Sequence, residues 1–201
     1  MSTISHILIE AADPAPSERL WEALGISDRV QVRASEAEPD GFRGFTVSLV
    51  VPGPSDVDAL MDTAQAAGAT VTDPASRSLW GYGGAVRSAD GTSVTFASSS
   101  KKDSGAATGV LERLILQLGV DDVAATRTFY TAQGLSVGTS YGKRYVEFET
   151  GSVTLTAVRR KTVAKVAGVD PTSSGAHRMA IVGGIGPLTD PDGFVWESLE
   201  A

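Results

Sequence analysis

The sequence predicts an α+β fold of repeated units, with curved, mainly antiparallel sheets and helices on their outer side. Three observations carry this: a motif that recurs at one constant offset, matching turn-and-strand endings in the two halves, and an unpatterned polar stretch between them. In the first copy, Ile4 to Glu10 reads as a strand and Asp13 follows it. A helix then carries Leu20, Trp21 and Leu24 on its apolar side, and Gly25 ends it. The second copy runs through strand Leu114 to Leu118, Asp122, a helix with Phe129 and Tyr130, and Gly134. The offset pairs Asp13 with Asp122, Trp21 with Tyr130 and Gly25 with Gly134.

The endings match as well. Asp90-Gly91 and Asp192-Gly193 are hairpin turn signals, each followed by a strand rich in β-branched or aromatic residues. Residues 99–109, small and polar, read as a linker. The two halves, 1–98 and 110–201, differ in their middles. After Gly25 the first half offers one short strand, Arg29 to Arg33, then strand Phe45 to Val51, a helix from Ser55 to Ala67, and the glycine-rich stretch Leu79 to Gly84, expected as a loop. Ser55 is expected to cap that helix and Gly68 to stop it. The second half has strands Tyr145 to Phe148 and Ser152 to Val158, then passes from Met179 almost directly to Asp190, with no room for another helix. The order is a shortened unit (1–40), a full unit (41–98), a full unit (110–168) and a shortened unit (169–201). How the units pair is open.

Composition narrows the function. The chain has 201 residues, 42% apolar, enough to bury a sizeable core. Its net charge of -7 offers no footprint for a phosphate backbone, so no nucleic-acid partner is expected. The run Arg159, Arg160, Lys161 and Lys165 reads as a solvated strand end or loop, with an anion site as the alternative. There is no cysteine, which removes disulfides, thiolate ligands and a thiol nucleophile. The stretch up to Asp13 is too short for a signal peptide or membrane span. A cytoplasmic protein without membrane attachment is expected.

Several stretches together resemble the vicinal oxygen chelate group, which includes glyoxalases, bleomycin-resistance proteins and extradiol dioxygenases. They are Ser5-His6-Ile-Leu-Ile followed by Asp13, Asp122 to Tyr130, Trp80-Gly-Tyr-Gly-Gly84, and Asp190-Pro-Asp-Gly-Phe-Val-Trp-Glu197. The resemblance implies paired βαβββ units curled into partly open, glyoxalase-like barrels, with a ligand on the concave face and often a divalent metal. It places His6 at the first-strand ligand position and Glu197 at the last-strand carboxylate. The equivalent positions in the other half hold Ile115 and Thr95, so neither half has a full set of ligands. His177, the only other histidine, is the third candidate, and His6, His177 and Glu197 would suit Zn, Fe or Ni.

Two readings follow. The first is a metal-free protein that binds a small apolar or aromatic molecule in a concave cleft, with no cofactor, and with Trp80, Tyr82 and Tyr141 as ligand-binding residues. The second is a metal-dependent lyase, isomerase or dioxygenase using His6, His177 and Glu197. Glu10, Glu147 and Glu149 are candidate general bases, or else solvent-facing strand residues. A homodimer is compatible with both. Ile7, Ile9, Trp21, Leu24, Val47, Leu49, Leu60, Phe96, Leu116, Phe129, Val153, Leu155 and Trp196 are expected to form the core.

Overall fold

Asp13 and Asp122 start the two paired helices. In the computed structural model, which describes residues 3–36, 41–79, 81–102, 105–172 and 176–199, Asp13 accepts the backbone N–H of Ala15 at 3.2 Å and caps α1 (Pro14–Ala23). Asp122 accepts those of Ala124 (2.8 Å) and Ala125 (3.2 Å) and caps α3 (Val123–Ala132). Each carboxylate satisfies donors that the first turn leaves without partners. Gly25 and Gly134, at φ 70° and 93°, take the left-handed conformation just past each helix end.

Around these lie β1 (Ile4–Ala11), β2 (Val30–Ala34), β3 (Phe45–Val50), α2 (Pro54–Ala66), β4 (Thr70–Ser78), β5 (Gly81–Arg87) and β6 (Ser93–Ser98). The second half adds β7 (Arg113–Val120), β8 (Val137–Ser140), β9 (Tyr145–Phe148), β10 (Val153–Arg159), α4 (Arg160–Val166), β11 (Met179–Gly183), β12 (Leu188–Thr189) and β13 (Val195–Glu197). Both full units show the βαβββ order. They share one eight-stranded sheet, β4-β5-β6-β3-β7-β10-β9-β8, joined by the antiparallel pair β3 and β7. The shortened units share a five-stranded sheet, β12-β13-β11-β1-β2, joined by the antiparallel pair β1 and β11. The parallel pairs, among them β3 with β6 and β7 with β10, close each unit's last strand back onto its first. The other neighbouring pairs among the described residues are antiparallel.

Period-two alternation gives each sheet one apolar face, and the two faces share one core. Ile7 and Ile9 from β1, Ile181 from β11 and Trp196 from β13 belong to the same buried cluster as Val47, Leu49, Leu116, Val153 and Leu155. One buried ion pair also fastens the sheets together. The Arg43 Nη1 donates to Asp90 Oδ1 at 3.0 Å and to Thr92 Oγ1 at 2.8 Å. The same guanidinium donates to the carbonyls of His177, Glu10 and Arg178, which belong to the shortened units. Burial, the largest influence, pulls its pKa down to about 10, against the upward pull of Asp90.

Four expectations need correction. The basic run forms helix α4: Val163 and Ala164 are fully buried while Lys161 and Lys165 face solvent. The glycine-rich stretch is mostly strand β5, because a Cβ at Gly81 or Gly83 would run into the carbonyl of Ser98 or Phe96. Ser55 does not cap α2, whose N-cap is Gly53; its hydroxyl reaches the carbonyl of Gly105 at 2.5 Å. Leu60 and Phe129 are half-buried and only pack against the core, whereas Tyr130, beside Phe129, is fully buried. No helix among the described residues is long and apolar enough to cross a membrane.

Candidate functional site

The second face of the eight-stranded sheet is curved, and α4 shows why. Gly119 on β7 sits so close to α4 that a Cβ there would lie 3.0 Å from the Arg160 Cα. At the other end of the helix, the Thr72 hydroxyl of β4 donates to the Ala167 carbonyl at 2.8 Å. Four interstrand steps separate β7 from β4, about 19 Å in a flat sheet. The residues from Arg160 to Gly168 cover only about 12 Å as helix. The sheet therefore curls around α4, which closes one end of a trough, seated on Val158, Phe42 and Tyr145.

Register assigns the trough floor. One row runs Glu147, Thr156, Gln117, Thr46, Ser93 and Arg87 across β9, β10, β7, β3, β6 and β5. The next runs Thr154, Ile115, Ser48, Thr95 and Ala85. The floor is thus hydroxyl- and amide-rich, with aliphatic breaks. Thr46 Oγ1, Thr156 Oγ1 and Arg87 Nε are buried without a hydrogen-bond partner among the described residues; such groups normally find one. At one side, Arg113 Nη2 lies 2.8 Å from Glu147 Oε2, and the Tyr145 hydroxyl donates to the same oxygen at 2.6 Å. Burial would raise the Glu147 carboxyl, but those two hydrogen bonds outweigh it and hold the group below 4.5.

Of the aromatic candidates, Trp80 lies outside the described residues. Tyr82 is on β5, but its ring packs against the core on the helix-covered side and its hydroxyl donates to Asp58 of α2 at 2.7 Å. Tyr141, 68% exposed, stands in the β8–β9 turn with its ring 5.8 Å from that of Tyr145. The structure does not bring Tyr82 and Tyr141 together, since they lie at opposite edges of the sheet. The floor residues Thr46, Ser48, Gln117, Thr154 and Thr156 were missed in the sequence. Their signal is the alternation of hydroxyl or amide side chains with the apolar residues of β3, β7 and β10.

The metal candidates lie on the outward face of the five-stranded sheet. His6 and Glu197 both stand opposite Val182, so they share a face two strands apart. Burial lowers the His6 pKa and Glu197 acts against that. Glu197 is already occupied by a cation: Arg33 Nη1 lies 3.1 and 3.3 Å from its two oxygens, and Arg33 Nη2 lies 3.1 Å from Glu197 Oε1 and 2.7 Å from Glu10 Oε1. His177 is five residues before Val182 in the chain and precedes β11, with Arg178 at φ 50° turning the backbone between them. Its ring nitrogens face the carbonyls of Arg43 (2.6 Å) and Asp192 (2.9 Å), and it stacks on Phe194. His6, His177 and Glu197 therefore do not converge, and no group of three or more metal-ligating side chains occurs among the described residues.

Paired βαβββ units, joined edge to edge, define a glyoxalase-like fold. Solved structures bear this out. Glyoxalase I from Zea mays aligns over 98% of this chain and 91% of its own, at 14% identity and TM-score 0.57. A point mutant of that enzyme aligns over 98% and 93%, at 13% identity and TM-score 0.59. A proposed dioxygenase from Bacillus subtilis aligns over 95% of this chain and 71% of its own, at 11% identity and TM-score 0.54. No family model and no curated protein matches the sequence.

Proposed function

We infer that this chain is a glyoxalase- or bleomycin-resistance-like protein that binds a small, partly aromatic molecule in the trough of the eight-stranded sheet without a metal. The observation that carries the reading is the donor set of the floor. Threonine, serine and glutamine stand in the two central rows, where a first-row metal would need about three imidazole, carboxylate or thiolate ligands. Ile115, Val50 and Ala97 supply apolar contact on the same face. The partly exposed side chains of Ser48, Gln117 and Thr154 can pair with a polar group on one edge of the ligand. The reading carries with it a cytoplasmic location and no nucleic-acid partner.

A thermal-shift screen of one- and two-ring aromatic compounds carrying a hydroxyl, amide or carboxyl group tests it. Binders should stabilise the chain, and Gln117→Leu or Thr154→Val should weaken them by up to about tenfold, the worth of one hydrogen bond. Zinc, nickel, iron and manganese should leave the melting temperature unchanged. A metal-induced rise lost in both His6→Ala and Glu197→Ala would replace this reading with that of a metal-dependent lyase, isomerase or dioxygenase.

A further inference from the structure

On the opposite side of the same sheet, the linker does not hang free. Asp56, in the first turn of α2, accepts the backbone N–H of Thr108 at 2.5 Å, its hydroxyl at 2.9 Å, and the N–H of Gly109 at 3.1 Å. Burial would raise this carboxyl, but the hydrogen bonds outweigh it and keep it in the charged form. With Ser55 holding Gly105, the start of α2 pins the end of the linker over the space between α1, α2 and β3. A cavity of about 210 Å³ remains there, and Leu24, Leu49, Val51, Leu60, Val110 and Leu111 dominate its walls.

The chemistry of those walls selects a ligand. Among the described residues, Asp56 is the one ionisable side chain that lines the cavity, and its Oδ1 is committed to the linker. The Thr63 hydroxyl donates to the Ala59 carbonyl at 2.7 Å. An entering molecule therefore meets methyl groups and one fixed negative charge, which favours a neutral apolar guest and disfavours an anion. Volume sets the size, since an apolar cavity of roughly 150 Å³ already admits benzene. We propose that the linker-roofed cavity between α1, α2 and β3 is a second binding site, separate from the trough, for a neutral apolar molecule the size of benzene to a six-carbon alcohol. Half-buried Leu60 and 53%-exposed Val110 belong to this site, at its wall and its mouth.

The test uses the full chain with benzene, 1-hexanol and hexanoate, followed by ligand-observed and methyl NMR. Benzene and 1-hexanol should bind saturably, shifting the methyl signals of Val110 and Leu111, while hexanoate should bind at least tenfold more weakly. Ala59→Leu should abolish binding by filling the space. Ala107→Leu, on the linker, repeats that test should the helix variant fail to fold. The proposal is overturned by an absence of saturable binding, by binding unchanged in a folded filling variant, or by shifts confined to Ile115 and its neighbours in the trough. The trough reading fails separately, because its ligands are read at Ile115 and Thr154.

Discussion

The sheet of the full units and the sheet of the shortened units are assembled alike, each from two units joined through their first strands in antiparallel register. Their outward faces differ. Complete units supply eight strands, enough to curl around α4 and shelter a neutral floor of Thr46, Gln117 and Thr156. Shortened units supply five, and the result is an open face with Arg33 clasping Glu10 and Glu197 at its surface. The same plan thus yields a recess where the strand count permits curvature, and an exposed ion-pair lattice where it does not. The turns repeat the contrast. Asp90, closing the first full unit, is paired with the Arg43 cation, whereas Asp190, in the last shortened unit, accepts from the Tyr130 phenol at 2.7 Å.

The largest effect should come from Arg43→Ala. It strips the charge partner from fully buried Asp90 and unties the two sheets, a loss of about 3–5 kcal/mol for a broken buried pair. Urea unfolding measures it; a midpoint within error of the parent's would mean that the sheets are held by apolar contact alone. Tyr130→Phe should come next, at about 1–3 kcal/mol. It leaves Asp190 Oδ2 and the Trp196 Nε1, 3.1 Å from the phenol oxygen, without their buried partner. Arg33→Ala should cost no more than about 1 kcal/mol, because its carboxylate partners are open to water. Equal losses in Arg33→Ala and Arg43→Ala would erase the contrast between the two faces.

The smallest effect is on pH dependence. Burial raises the Asp190 carboxyl above 3.8, although Tyr130 and two backbone N–H groups pull the other way. The native chain then holds that proton more tightly than the unfolded chain, so this group's contribution falls as pH climbs through the raised pKa. Asp190→Asn should flatten that part of the stability curve, as followed by thermal unfolding at a series of pH values.

Much of this plan was legible in the sequence. The capping aspartates and the glycines past each helix are set by local chemistry, which a single chain displays. Helix α4 was not legible: it is seven residues long, mostly charged outside, and only Val163 and Ala164 mark its buried side. Strand β5 was hidden by glycines that are there for close strand packing rather than for a turn. The trough floor escaped because threonine and serine carry no signal until the register shows that they line one face. The resemblance set Glu197 at a ligand position, and its engagement by Arg33 depends on a contact across 164 residues, which no local pattern encodes.

Amide chemical-shift mapping of the isotope-labelled chain, titrated with the tightest aromatic binder and then with manganese, decides between the two outward faces. The expected result is a saturable set of shifts at Ser48, Ile115, Gln117 and Thr154, with no selective broadening around His6 and Glu197 when manganese is added. Shifts or metal-induced broadening centred on His6, Arg33 and Glu197, with the trough unchanged, would contradict it.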